Sequence, residues 1–516
     1  MALLILVINT NNAPSNQFLN DLLIIGGGIN GVGIARDAAG RGLKVVLCEK
    51  GDLGSATSSS STKLIHGGLR YLEHYEFGLV RSALKEREIL LKCAPHIVRP
   101  MRFILPHNPN IRPAWLVRMG LFLYDFMAPG DFQPSGSIDL SDTRYGIPLR
   151  QNFKTGMYYS DCWVDDSRLV VENAMDAKIR GATILTNSEC TSAKPNPSGD
   201  SWLISLRDSL NGTQQTVSAK IIINAAGPWA EHCLSTVIEG AKKPRMRLVQ
   251  GSHIIVPQLF DHGSAYIFQN TDNRIVFAIP YERDFTMVGT TDMPFQGNLE
   301  ALSPSDTEIR YLCETINHFF DKSLSIKDLV WSFSGVRPLI EDGSTSADKV
   351  TRDYRIELTK LDGGATYLSI LGGKLTTYRK LAEEAVDKLA HIFDFKRSAW
   401  TVSAALPGGG IRASSIEAFT NSISLEYPWL PKHLLERYAR SYGARISTLL
   451  KNAQCTSDLG ISFSPDLYER EVQYLVTHEW ARTTEDILWR RTKLGLYVDE
   501  AATIRLKTWL DSQNPN

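Results

Sequence analysis

Little in this chain supports metal or disulfide chemistry. Its seven cysteines stand at 48, 93, 162, 190, 233, 313 and 455, and no two form a C-x-x-C pair. An odd, scattered set fits a reducing compartment and holds no zinc or iron–sulfur signature. The eleven histidines include no H-E-x-x-H, and no Asp-rich calcium loop is present. Net charge is missing too: 56 basic residues balance 56 acidic ones. That balance argues against a nucleic-acid protein held by a global basic field but permits local basic pockets. No run approaches the roughly 18–20 apolar residues that a membrane-spanning helix needs. MALLILVI is followed by NTNNAPSNQ, with neither a basic leader nor a clear cleavage site, so residues 1–19 read as an N-terminal extension.

What remains is an ordered chain of 516 residues, 43% hydrophobic and 22% charged, long enough for two to four domains. The first informative segment runs from Asp21 to Glu49. DLLII is a short apolar run without alternation, as expected of a parallel strand covered on both faces. Gly26, Gly28 and Gly31 follow in the spacing G-x-G-x-x-G; INGVGIARDAAGRG reads as a helix, and LKVVLCE as a second strand ending at Glu49. Gly26 allows the turn, Gly28 the approach of backbone to a pyrophosphate, and Gly31 the packing of helix on strand. The helix N-terminus offers free N–H groups to phosphates, and Glu49 is placed to accept ribose hydroxyls. Two later segments share this character. IIINAAGPWA carries Gly227 in a small-residue turn, and YLSILGGKLTTYRKLAEEAVDKL is a strand–Gly-Gly–helix unit containing Gly373 and Thr376.

The blocks GGGINGVGIARDAAGRG, ATSSSSTKLIHGGLRYLEHYEFGLV, YSDCWVDDSRLV, SGVRPL, TRDYRIEL, GGKLTTYRKLAE and HEWARTTEDILWRRTKLGLY occur in this order. Together they resemble the aerobic, FAD-dependent glycerol-3-phosphate dehydrogenases, in their bacterial rather than mitochondrial form. The resemblance implies FAD, oxidation of sn-glycerol 3-phosphate to dihydroxyacetone phosphate, and delivery of electrons to a membrane quinone. It implies an α/β fold: an FAD-binding Rossmann-like domain with an inserted antiparallel β-sheet substrate domain, followed by a helical C-terminal domain. The FAD-binding parts are expected near 20–75, 150–240 and 350–395, and substrate or cap segments near 76–149 and 241–349. Residues 396–411 are expected to link this 20–395 unit to a helical domain at 412–516, with LPGGG (406–410) as hinge. That domain shows no chemistry of its own and reads as packing support or a homodimer contact.

For a phosphorylated triol the cations Arg70, Arg337, Arg352 and Lys374 stand out by their settings, and the resemblance puts them at the substrate pocket. Arginine suits a phosphate because its planar fork binds two oxygens at once. His253 in GSHIIV and His66 in KLIHGG are the candidates for a base, and the resemblance favours His253. Ser58, in the serine run, completes the expected cofactor set. An oxidase of the same fold using dioxygen, and an amine or D-amino-acid oxidase, are the rival readings. One segment stays open. In PAWLVRMGLFLYDFM (113–127), Trp115, Leu116, Met119, Leu123 and Phe126 fall on one side at helical spacing, with Arg112 and Arg118 beside them. It is either a core helix or an interfacial helix lying on a membrane. The latter would make the protein peripheral on the cytoplasmic face of the inner membrane.

Overall fold

The computed structural model describes residues 19–513, except 108–112, 128–129, 131, 243, 273, 341–352, 396, 412 and 414 and the side chains of residues 70, 73 and 74. The expectations for residues 1–18, for Arg112, for Arg352 and for the Arg70 side chain therefore lie outside the described residues.

The strand Asn20–Ile25 is apolar at successive positions because both of its faces are covered. Leu22 and Ile24 join a core shared with helices, whereas Leu23 and Ile25 join a core under a β-hairpin. The strand pairs in parallel with Val45–Cys48 and with Gln214–Asn224; Thr183–Leu185 and Thr366–Leu371 extend the parallel set. Arg355–Lys360 closes one edge antiparallel, and the hairpin Ser188–Pro195 and Trp202–Asp208 continues antiparallel from Gln214–Asn224. Helix Ile29–Gly40 lies against Asp166–Ile179 and Tyr378–Asp387. Its small residues make this possible: a Cβ at Gly33 would stand 2.8 Å from the Tyr378 ring, and one at Gly40 would collide with Trp400.

Among the described residues a second sheet has ten strands. Trp331–Ile340 pairs with Met246–Pro257, and the sheet then runs through Phe285–Gly289, Ile275–Tyr281, Ala265–Gln269, Val98–Pro106 and Thr155–Val164 to Leu64–Ile65. Helix Asp306–Phe319 covers one face, and helices Phe77–Cys93 and Ala114–Met127 cover part of the other. Two details differ from the expectation. Ala265–Gln269 and Val98–Pro106 pair in parallel, so the sheet is not wholly antiparallel. Leu64–Ile65 and Thr155–Val164 belong to this sheet, although they fall within segments read as FAD-binding. Strand partners are chosen over long sequence distances, and nothing local in TGMYYSDCWV says which sheet it joins.

LPGGG is not a free hinge. Gly408 N–H donates to the Glu172 carboxylate at 2.8 Å, Leu406 N–H to the Cys93 carbonyl at 2.9 Å, and Leu406 is buried in the helical-layer core. The C-terminal helices Ile416–Glu426, Lys432–Tyr442, Glu469–Glu479 and Glu500–Gln513 enclose their own core around Leu434, Tyr438, Leu475 and Leu506. This domain is fastened to the rest by buried charge. Arg168 forms a two-pronged pair with Glu479, Arg491 holds both Asp52 oxygens at 2.7 and 2.8 Å, and Lys493 holds Asp165 at 2.7 Å. Trp489 stacks on Trp331 with ring centres 4.1 Å apart.

Candidate active site

Three parallel strands, Asn20–Ile25, Gln214–Asn224 and Thr366–Leu371, end at one edge of the sheet, where open α/β sheets bind ligands. Each is followed by glycine in the left-handed region: Gly26 (φ +112°), Gly227 (φ +54°), and Gly372 and Gly373 (φ +76° and +107°). A Cβ at Gly26 would sit 2.6 Å from the Ala225 carbonyl oxygen, and one at Gly31 would collide with the Gly26 carbonyl. Helix Ile29–Gly40 is thereby seated directly on the turn. Gly28 is its N-cap, and Ser58 Oγ accepts the Ile29 N–H at 3.0 Å. Asn30, which the sequence reading did not single out, donates to the Gly372 carbonyl at 3.2 Å and joins the first glycine turn to the last. Its Oδ1 is buried with no partner among the described residues. Glu49 accepts Gly27 N–H at 2.6 Å and Gly51 N–H at 2.9 Å, and burial pushes its carboxyl above the usual range.

The serine run crosses from this edge to the cap. Thr57 Oγ1 donates to the Val336 carbonyl at 2.7 Å, and Thr62 Oγ1 lies 3.0 Å from His253 Nε2. The run is pinned from below by Asp166, which takes Lys63 Nζ at 2.7 Å and the Ser61 hydroxyl at 2.7 Å. Lys63 and Asp166 were not singled out from sequence; the available signal was the paired acids of VDDSR at a helix start.

His253 and Arg337 stand on neighbouring antiparallel strands. Val249 lies opposite Arg337, Gly251 opposite Gly335, and His253 opposite Phe333, so the two side chains share one face. Gly251 and Gly289 are required here. A Cβ at Gly251 would collide with the Arg337 guanidinium, and one at Gly289 would collide with the His253 ring. The imidazole is buried and stacks on Phe333 at 4.9 Å and 10°; its Nδ1 has no partner among the described residues. Burial, and then the charges of Arg337 and Lys63, hold its pKa well below the ordinary histidine value. Arg337 donates to Asp292 Oδ1 at 3.0 Å and to Thr290 Oγ1 at 3.1 Å.

Lys374 and Thr376 sit at the last glycine turn. Lys374 Nζ lies over the Tyr71 ring, 4.1 Å from its centre, and Thr376 Oγ1 accepts the His66 N–H at 3.4 Å. A Cβ at Gly372 would stand 3.7 Å from the Pro338 carbonyl, so this turn reaches the strand end that carries Arg337. The fold thus brings Gly26, Gly28, Gly31, Glu49, Ser58 and the Gly373 turn to one edge and sets His253 and Arg337 on the sheet above the serine run.

Helix Ala114–Met127 turns its apolar side outward. Trp115 is 67% exposed, Phe122 64% and Phe126 79%, with Leu116, Met119 and Leu123 also exposed, so it is not a core helix. Only Leu121 and Tyr124 are buried. Tyr124 OH donates to Asp161 and accepts Gly67 N–H at 2.8 Å, beside His66. Among the described residues no helix is long and apolar enough to cross a membrane.

Residues 21–379 match the FAD dependent oxidoreductase family, and residues 399–508 match the C-terminal domain of alpha-glycerophosphate oxidase. D-erythritol 1-phosphate dehydrogenase of Brucella abortus is 49% identical over 495 residues, 96% of this chain and 98% of that protein. Glycerol-3-phosphate dehydrogenase of Pseudomonas aeruginosa is 48% identical over 508 residues, 98% of both chains. A glycerol-3-phosphate dehydrogenase from Bacillus halodurans, solved with FAD, superposes with a TM-score of 0.77 at 27% identity, covering 96% of this chain and 91% of that one. Two glycine-turned helix starts at one sheet edge, a histidine–arginine face above them and these full-length likenesses agree: the chain belongs to the FAD-dependent glycerol-3-phosphate dehydrogenase family, and its cofactor is FAD.

Proposed function

We propose that the protein oxidises sn-glycerol 3-phosphate to dihydroxyacetone phosphate and passes the electrons to a membrane quinone. The observation that carries this reading is the shared face of His253 and Arg337, a neutral base beside a guanidinium, on a chain 48% identical to a glycerol-3-phosphate dehydrogenase. The residues present fit FAD. Gly28 and Ile29 open a helix toward the phosphates, Glu49 retains acceptor capacity for ribose hydroxyls, and Asn30 Oδ1 is a buried acceptor awaiting a donor. A Cβ at Gly227 would meet no atom within 4 Å, so backbone is exposed there to a bound group. When bound, FAD supplies the acceptor for a hydride.

The chain's own part is proton management and positioning. His253 takes the proton of the C2 hydroxyl. Thr62 orients the ring through Nε2, and the tautomer that donates Nε2–H leaves Nδ1 as the basic nitrogen. Arg337, oriented by Thr290 and Asp292, meets the phosphate, so binding energy remote from C2 orients C2 for reaction. Lys374 adds a second cation, as do Arg70 and Arg352 by the family resemblance.

A second reading, D-erythritol 1-phosphate as substrate, is favoured by the Brucella relative. An anaerobic titration of the purified holoenzyme decides between them: glycerol 3-phosphate bleaches the flavin absorbance at lower concentration than erythritol 1-phosphate, and glycerol does so far less readily. No bleaching by either phosphate ester removes the proposal. In turnover, a water-soluble quinone supports the reaction without peroxide, whereas peroxide formed in proportion to substrate assigns an oxidase.

Membrane contact is proposed for helix Ala114–Met127, whose exposed aromatic side could lie at the lipid boundary. Burying a phenylalanine is worth about 1.5–3 kcal/mol. Phe126→Ser is therefore expected to weaken co-sedimentation with phospholipid vesicles about tenfold or more, with flavin content unchanged. Equal sedimentation of variant and wild type removes this helix from the contact.

A further inference from the structure

We infer that Glu308 and Thr291 are positioning residues for Arg337, setting from behind the sheet the guanidinium that meets the substrate phosphate; the inference rests on the reading of Arg337 as phosphate ligand. On the strands 246–257 and 331–340, residues 251, 253, 335 and 337 share the face toward the serine run, while Gln250, Ser252 and Ser334 lie on the reverse. The reverse face holds a buried carboxylate that the proposed chemistry does not use. Glu308, 5% exposed at the start of helix Asp306–Phe319, has no lysine, arginine or histidine paired with it among the described residues. Hydrogen bonds take that place. Thr291 Oγ1 donates to it at 2.6 Å, Ser252 Oγ at 2.7 Å, Gln250 Nε2 at 2.9 Å, and Ser305 through Oγ and N–H at 2.9 and 3.0 Å. A buried charge is tolerated only with such compensation, and bonds to an ionised acceptor are the strong ones.

Two of these donors lead to the site. Thr291 also accepts the Ser252 N–H at 2.9 Å, which ties the loop after Gly289 to the strand between Gly251 and His253. The side chains on either side of Thr291 turn the other way: Thr290 Oγ1 and Asp292 Oδ1 hold the two terminal nitrogens of Arg337 at 3.1 and 3.0 Å. One residue of this loop is therefore nailed to Glu308 while its neighbours grip the guanidinium. Ser252, bonded to Glu308, precedes His253 and follows the glycine over which Arg337 lies. Loosening the carboxylate should let the Arg337 fork lose its aim while the arginine itself remains.

The test compares Thr291→Val, Thr291→Ser, Glu308→Gln and Arg337→Ala as holoenzymes of matched flavin content. Two readouts are taken: the inhibition constant of inorganic phosphate, and the ratio of kcat/KM on glycerol 3-phosphate to that on glycerol. Thr291→Val and Glu308→Gln are expected to weaken phosphate inhibition and lower the ratio about tenfold each, as orienting partners of ligating groups do. Thr291→Ser, which keeps the hydroxyl, is expected to stay near wild type. If Arg337→Ala loses phosphate recognition but Thr291→Val and Glu308→Gln keep the ratio within about twofold, the inference is overturned. The same holds if both substrates suffer equally as the Tm falls, for that is a purely structural effect. If Arg337→Ala leaves phosphate inhibition unchanged, the reading of Arg337 as phosphate ligand fails first, and the inference with it.

Discussion

Replacing His253 with asparagine is expected to slow anaerobic flavin reduction by saturating glycerol 3-phosphate about 10²–10⁴-fold, the usual contribution of a positioned general base. Asparagine keeps a polar side chain against Phe333 and Thr62 but cannot take a proton at neutral pH. The flavin spectrum should be unchanged, since the histidine's hydrogen bond to Thr62 and its stack on Phe333 lie away from the glycine turns of the nucleotide edge. Reduction at the wild-type rate would make the histidine structural and turn attention to His66. The pH profile is a second check. Burial and the cations Arg337 and Lys63 depress the imidazole pKa, so it is neutral and competent from its folded value upward. The rate therefore falls only when acid protonates it, and the acid limb of kcat/KM lies below the ordinary value near 6.5. A bound phosphate dianion offsets the Arg337 charge, so the acid limb of kcat should stand at higher pH than that of kcat/KM. An acid limb above 7 in the free enzyme would contradict this assignment.

Arg337→Ala is expected to remove about 2–4 kcal/mol of selectivity for the phosphorylated substrate, roughly 30- to 1,000-fold in the kcat/KM ratio of glycerol 3-phosphate to glycerol. The magnitude follows from a charge-assisted, fork-shaped contact by a side chain that is 29% exposed and already oriented by Thr290 and Asp292. Lysine at this position keeps the charge but not the fork, so Arg337→Lys should recover only part of the loss. Equal ratios in wild type and Arg337→Ala would place phosphate recognition on Lys374 and the remaining cations.

The nucleotide edge was legible because its requirements are local. Gly26, Gly28 and Gly31 answer to turn geometry and close packing within a few residues, and Glu49 to the end of the next strand. The outward aromatic stripe of residues 113–127 was legible as a stripe, but not as exposed. Which side a helix buries depends on what else is there to cover it, and here only Leu121 and Tyr124 are buried. LPGGG looked like a hinge because glycine runs usually are. Its backbone is instead spent on Glu172 and Cys93, partners more than two hundred residues earlier.

Composition, glycine spacing and the order of the sequence blocks by themselves determined a dinucleotide-binding α/β chain, its FAD and its family, because these follow from short-range geometry and from shared sequence. Tertiary structure alone decided that Arg337 lies across Gly251 toward His253, that Asn30 joins the first glycine turn to the last, and that Glu308 stands behind the site. Those contacts join strands and loops far apart in the chain, and register between distant strands is set by the packed sheet as a whole.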